Sequence, residues 1–310
     1  MRGRRGFTLV EIMVVMVMML LVGAALTRIL VNSMRVSRAQ MITADMQSNV
    51  RVGGLAVPLE LREIGYDSNI SELAGPGAVR SDIEAIGTNF IQFRASRGFS
   101  TLCGAWSLPN GGEGTLRIRK PVLGIREPLP SDSFQVFVEN TPTISSDDQW
   151  LDAKITAIDL NGICGAGGDP AIILTVSAEG ISTKFDGTDD VVDANLSYGS
   201  PVRWFERMRF GSFVDADGLT YLGARSISAG EGAYRAVAGP MDPITGFMLT
   251  YYNKNGVPVA PGVGNPVDVR TIEVQLLGRT GSQVALAGTR MANRTMITTT
   301  RVALRNTLRH

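Results

Sequence analysis

Gly6-Phe7-Thr8-Leu9-Val10-Glu11 runs straight into the apolar stretch Ile12-Met13-Val14-Val15-Met16-Val17-Met18-Met19-Leu20-Leu21-Val22-Gly23-Ala24-Ala25-Leu26. With Phe7 to Val10 included, the stretch approaches the ~20 residues that cross a bilayer as a helix. Arg2, Arg4 and Arg5 precede it, so the positive-inside rule leaves residues 1–6 in the cytoplasm and everything after Arg28 outside. A secretory signal peptide would look similar, with Gly23-Ala24-Ala25 as its small-residue cleavage site, and so would an uncleaved anchor. Neither gains anything from Glu11, a carboxylate that costs roughly 2.5 kcal/mol or more at the centre of a membrane.

Glu11 is useful to a subunit that packs against copies of the same helix. There a neighbour's amino group can meet the carboxylate inside an apolar bundle. Gly6-Phe7-Thr8-Leu9-Val10-Glu11 resembles, residue for residue, the prepilin motif of type IV pilins and type II secretion pseudopilins. The resemblance implies that a prepilin peptidase cuts between Gly6 and Phe7 and that the new N-terminal Phe7 is N-methylated. It also implies that Glu11 makes the assembly contact, with the amino group of a neighbour's Phe7 as its partner.

Beyond Arg28 the pattern turns amphipathic. Ile42, Met46, Val50, Val57, Leu61 and Ile64 recur at steps of three, four or seven, against polar Asp45, Gln47, Asn49 and Glu60. One helix from Phe7 to about Glu63 would be about 85 Å long at 1.5 Å per residue. Its first half would span the membrane over residues 7–28, and its second half would give a globular body something to pack on. Gly53, Gly54 and Pro58 interrupt the pattern, and Pro58 cannot donate to the carbonyl of Gly54, which predicts a kink or break. Gly65 is placed to cap the helix end in the left-handed conformation.

The remainder, residues 66–310, reads as strands and turns starting near residue 78. Ile91 and Phe93 alternate with Gln92 and Arg94, Phe134, Val136 and Val138 with Gln135, and Ile272, Val274 and Leu276 with Glu273 and Gln275. Ala171 to Val176 is a continuous apolar run. Phe247, Leu249 and Tyr251 lead into the turn Asn253-Lys254-Asn255-Gly256 and then Val257 and Val259. Val302 and Leu304 fall near the end. The expected architecture is α+β, a long N-terminal helix on an antiparallel sheet, with loop-rich insertions between about residues 95 and 200. Leu59-Glu60-Leu61-Arg62-Glu63-Ile64-Gly65-Tyr66, Tyr251 to Gly256 and Leu304-Arg305-Asn306 resemble the PilW family of minor pilins and its relatives around pseudopilin J. The whole chain thus takes the expectation of a type IV pilin-like fold, with a leader at residues 1–6 and the helix at residues 7–65.

Composition narrows the chemistry. Lys plus Arg number 30 and Asp plus Glu 29, so no overall charge argues for nucleic acid. The single histidine, His310, leaves no Ser-His-Asp triad and no histidine-rich metal site. No phosphate-binding glycine loop with Lys and Ser/Thr occurs, and no Gly-x-Ser-x-Gly elbow. The expectation is a structural protein, not an enzyme, with no cofactor. Cys103 and Cys164 stand far apart in no metal spacing and could pair as one disulfide if the body lies outside the cytoplasm, against the alternative of two buried thiols. Asp215-Ala216-Asp217-Gly218 resembles a fragment of a calcium loop, but it lacks the later ligands, and a solvated Asp-Gly turn is the favoured reading. Asp186, Asp189 and Asp190 form another acidic turn. Arg279, Arg290, Arg294, Arg301, Arg305 and Arg309 make the tail basic without aromatic residues between them, so single-stranded nucleic acid is not the expected partner.

The resemblance implies a role as a minor pilin that helps to initiate or assemble a type IV pilus. The alternatives are a type II secretion pseudopilin, and a tip-located adhesin or DNA-binding module on the same anchor. Its implied partners are other pilins, through the helix, the prepilin peptidase and the inner-membrane assembly platform. The implied location is the inner membrane as a single-pass protein with its body outside, and then the pilus surface.

Overall fold

The computed structural model describes residues 9–64, 82–107, 113–139, 149–177, 196–285 and 291–304. Gly6, Phe7, Gly65, the turn at Asp186 to Asp190, Arg290, Arg305 and Arg309 lie outside them. One helix, α1 (Leu9–Arg62), runs for 54 residues, about 81 Å at 1.5 Å per residue. It passes through Gly53, Gly54 and Pro58 without ending, so the predicted break does not occur. Gly53 and Pro58 instead belong to the buried face of the helix.

The body is antiparallel throughout its described strands. In chain order these begin with β1 (Ile83–Ile86), β2 (Phe90–Thr101), β3 (Glu113–Arg119), β4 (Leu123–Gly124) and β5 (Ser133–Val138). Next come β6 (Gln149–Cys164), β7 (Asp169–Ser177), β8 (Pro201–Val214), β9 (Thr220–Ser226), β10 (Arg235–Met241) and β11 (Phe247–Tyr252). The last are β12 (Pro258–Val259), β13 (Thr271–Arg279), β14 (Val284–Ala285), β15 (Met291–Ala292) and β16 (Thr295–Ala303). All but β14 and β15, which form a small ribbon, belong to one 14-stranded sheet with the path β12-β11-β13-β10-β9-β8-β5-β6-β7-β3. β16 adds to β13, and β2 pairs with β8 while carrying β1 and β4.

Two apolar cores lie along this sheet. The first gathers the helix stripe with β1, the start of β2, the end of β8 and β9 to β13, and includes Val50, Leu61, Phe93, Phe210, Tyr251 and Ile272. The second gathers β3, β5, β6, β7 and the start of β8 around Leu116, Phe134, Ile155, Leu174 and Trp204. β8 feeds both, because Val202 and Trp204 point into the second core and Met208 and Phe210 into the first. β2 pairs along one edge of β8 from Phe90↔Gly211 to Thr101↔Pro201, and β5 and β9 share the other edge.

The expected alternations place β13, β11 and β5 as read. The turn at Asn253 to Gly256 closes the β11–β12 hairpin, with Tyr251 opposite Val259. The segment from residue 95 to 200 departs from expectation. Its described residues are strand-rich, not loop-rich, and carry the second core. The cause is legible in β6, where Asp152, Lys154 and Asp159 occupy a 16-residue strand and mask its apolar positions Ala153 and Ile155.

Candidate membrane and assembly helix

The two halves of α1 meet different surroundings. From Leu9 to Arg38 every residue is exposed, including Met16, Leu20 and Leu21. Apolar side chains point in all directions there, so no single protein face could cover them, which is the pattern of a helix surrounded by lipid or by other helices. An 18-residue window of this half has a mean hydropathy of 2.7, and none of that window is buried. Glu11 lies in the first turn, where the helix dipole favours a carboxylate. Thr27 folds its hydroxyl back onto the carbonyl oxygen of Gly23 at 2.8 Å, so it needs no other acceptor in an apolar medium.

From Ala39 onward the helix docks. Met46, Val50, Val57, Leu61 and Ile64 are buried as predicted, while Ile42 is half-buried. The fit depends on small residues on both sides. Val50 fills the place that a side chain at Gly278 of β13 would occupy. A Cβ at Gly53 would lie 2.8 Å from Ala238 of β10. Gly53, expected from the sequence to interrupt the helix, is therefore a site of close approach between helix and sheet. Asn49 adds a polar link, donating from Nδ2 to the carbonyl oxygen of Gly239 at 2.7 Å.

The helix exit is stitched to β2. The amide of Ser96 donates to the carbonyl oxygen of Glu63 at 2.9 Å, and Ile64 forms a bridge with Ala95. At this point β2 bulges, since Ser96 faces Phe205 but Gly98 faces Trp204, which leaves Arg97 as the extra residue. The bulge aims Arg97 inward. Its Nη1 donates to Glu60 of α1 at 2.9 Å and its Nε to Glu206 of β8 at 2.8 Å, and Nη2 contacts the sulfur of Met208. Arg126 extends the chain of charges, 3.2 Å from Glu206 and 2.6 Å from the buried Asp132. The backbone oxygen of Arg126 accepts from the Trp204 indole at 3.2 Å. Burial pushes the Glu206 carboxyl up, but hydrogen bonds from Ser226 and Arg97 and the charges of Arg97 and Arg126 outweigh it, so its pKa lies below the ordinary value of 4.5. This hub ties the helix end to the junction of the two cores. The sequence reading placed Glu60 on the polar face and missed the hub. The available signal was Arg97, which falls in phase with the inward-facing Ile91, Phe93 and Ala95 of β2.

Of the other predicted site residues, Cys103 and Cys164 are joined by a disulfide with Cα atoms 5.0 Å apart, packed beside Ala171. Asp215 and Asp217 sit in the turn between β8 and β9. Asp217 accepts from the Tyr221 hydroxyl at 2.6 Å and from the Leu219 amide at 2.8 Å, and Asp215 from the Ala216 amide at 2.8 Å. Among the described residues no three or more His, Cys, Asp or Glu side chains cluster as metal ligands would. In the basic tail, Arg301 lies opposite Glu273 across β13 and β16 and pairs with it at 2.5 Å.

Searches with the whole chain find no matching curated protein and no matching solved structure. Residues 1–27 match the family model described as "Prokaryotic N-terminal methylation motif". With the apolar helix that the same residues begin, this match supports membrane anchoring and points to a type IV pilin or pseudopilin-type protein.

Proposed function

We propose that the chain is a minor pilin of a type IV pilus, of the PilW kind, that helps to initiate or assemble the filament and is not an enzyme. The observation that carries the reading is the half of α1 that is apolar all round yet holds the carboxylate of Glu11, a combination suited to a bundle of like helices. In this reading residues 1–6 are a cytoplasmic leader, removed by a prepilin peptidase between Gly6 and Phe7, and Phe7 is then methylated. Residues 7–28 cross the inner membrane, the helix continues from there to Arg62, and residues 66–310 form the body outside. Other pilins and the assembly platform contact the helix, and the subunit passes from membrane to pilus.

A tip position is the second reading, and the size of the body favours it. A sheet carrying two cores is bulky for a subunit repeated along a shaft, and less so for one at the end. Counting copies per filament by quantitative mass spectrometry tests both readings. A few copies in pilus fractions, starting at Phe7, fit a minor pilin. Copy numbers equal to those of the shaft subunit, or a mature start at Leu26, would remove the proposal. Recovery with a secretion apparatus instead of pili would assign the pseudopilin alternative.

A further inference from the structure

The face of the sheet turned away from α1 carries a row of arginines. Met208, Phe210 and Leu222 point to the helix side, so Arg207 and Arg209 of β8 and Arg225 of β9 point to the other. Arg94 and Arg203 share that outer face, by their register with Arg207 and by alternation along β8. Most of these cations are matched. Arg207 pairs with Glu84 at 2.6 Å, Arg94 lies 3.9 Å from Asp82, and Arg203 donates to Gln135 at 2.9 Å.

Arg209 and Arg225 are different. They face each other directly across the β8–β9 ladder, an arrangement of like charges that destabilises a sheet. Among the described residues neither has a carboxylate partner, and the Nε atoms of both are buried without a hydrogen-bond acceptor. Among the described residues the pair has one hydrogen bond to protein, from Arg225 Nη1 to the carbonyl oxygen of Gly232 at 3.1 Å. Aromatic rings hold the two guanidinium planes. Arg209 lies 4.0 Å from the centroid of Phe90 and Arg225 lies 5.1 Å from that of Tyr234. Tyr234 in turn stacks on Phe213. Both arginines are half-buried, so neither is sealed inside the sheet.

We infer that Arg209 and Arg225 form a binding site for an oxyanion, a phosphate or carboxylate group of a ligand approaching the face opposite α1. A bridging oxyanion converts the repulsion of the pair into two charge-assisted contacts, and planar guanidinium groups match its geometry. The aromatic rings fix the planes without using up the donors. The site stands independently of the filament reading, since it needs only the folded body.

Thermal unfolding of the full chain in detergent, at constant ionic strength, tests it with sodium phosphate or sodium glucuronate replacing sodium chloride. The midpoint should rise by about 3–6 °C at a tenfold excess over Kd in at least one of the two oxyanions. A rise with phosphate alone assigns a phosphate ligand, and with glucuronate alone a carboxylate. The double variant Arg209→Gln/Arg225→Gln should lose the response. Arg225→Lys, which keeps the charge and gives a fold check, should weaken it at least tenfold in midpoint-derived Kd. Equal midpoints in all three salts, or a response that survives either change unaltered, overturns the site.

Discussion

The two halves of α1 use the same apolar residue types and differ in how they are distributed. Leu9 to Arg38 spreads Met, Val and Leu around the whole circumference and buries none of them in its own chain. Ala39 to Arg62 gathers them into a stripe through Met46, Val50, Val57 and Leu61 and buries all four. The second half is more polar and still leaves Met41, Val52, Leu55 and Leu59 exposed, so the buried stripe, together with lower hydrophobicity, separates the half docked on its own body from the half that needs other molecules around it. The second half is also held by polar contacts at fixed positions, from Asn49 to Gly239 and from Glu60 to Arg97. The first half offers only Glu11 as a selective group in the span.

The sharpest way to break the comparison acts on Glu11. Lipid is as apolar as Met or Val, so the apolar surface alone gives little preference for helix contacts over lipid. Glu11→Ala should keep membrane insertion and cleavage at Gly6–Phe7 but lose incorporation into filaments, because a neighbour's Phe7 amino group would be left unpaired at about 3–5 kcal/mol. Glu11→Gln should be intermediate or equally defective. Membrane and sheared-filament fractions compared between wild type and variant decide it, and a normal filament level of Glu11→Ala would reject the pairing.

In the docked half the largest effect is expected at Arg97. Its side chain is only 5% exposed, and Arg97→Met leaves the carboxylates of Glu60 and Glu206 facing an apolar group. A loss of about 3 kcal/mol follows from breaking a buried pair, read as a lower urea midpoint. Adding Glu206→Gln should recover part of it. If the single variant unfolds as the wild type does, the hub contributes nothing to stability.

The close approach of helix and sheet predicts a smaller effect. Gly278→Ala should place a methyl group against Val50 and cost about 1–3 kcal/mol. Val50→Ala makes room, so the double variant should be less unstable than the sum of the single changes. Strict additivity in denaturant unfolding would mean that helix and strand do not interlock as described.

These contacts also mark how far the sequence could be read. The stripe of α1 and the strands β11 and β13 were legible because one face of each is buried and the other is not, which gives the period of 3.6 or 2. β8 was not read, although Val202, Trp204, Met208 and Phe210 point inward, because Arg203, Arg207 and Arg209 on its other face alternate with Phe205. A strand whose outer face is itself covered by stacked arginine and aromatic side chains loses the polar contrast on which the reading depends. Gly53 and Gly278 were beyond reach for another reason. Each is explained by a partner far away in sequence, and local pattern presents Gly53 only as a weak point in a helix.

Acid should act on the body. The pKa of Glu206 lies below 4.5 in the fold, and so does that of Glu84. For Glu84 burial pushes upward and is outweighed by hydrogen bonds from Arg207 and Gln92 and by the charges of Arg207 and Arg94. A carboxyl whose pKa is lower in the folded than in the unfolded state binds fewer protons when folded. Its contribution is therefore present above the unfolded value and lost as pH falls through the folded one. The thermal midpoint should fall as pH drops below 4.5. Glu206→Gln should flatten that fall, and an unchanged slope would exclude Glu206 as a source.

The smallest expected effect is the one that most directly tests the division of the helix. If residues 9–34 make no stabilising contact with the body, a chain starting at Arg35 should unfold at the same urea concentration as the full chain in detergent. Arg35 to Arg38 leave one exposed turn ahead of Ala39, where burial begins, so the docked stripe keeps its first residue inside a helix and not at a frayed end. Removing the all-round apolar half should also remove the need for detergent, since the exposed apolar residues from Leu9 to Met34 leave with it. The buried set, Met46 to Ile64 against β10, β13 and β16, is untouched. The expected difference is within about 0.5 kcal/mol, the usual range for changes away from buried features. A truncated body destabilised by several times that amount would show that the exposed half supports the fold, and the two halves of α1 would then have to be treated as one structural unit.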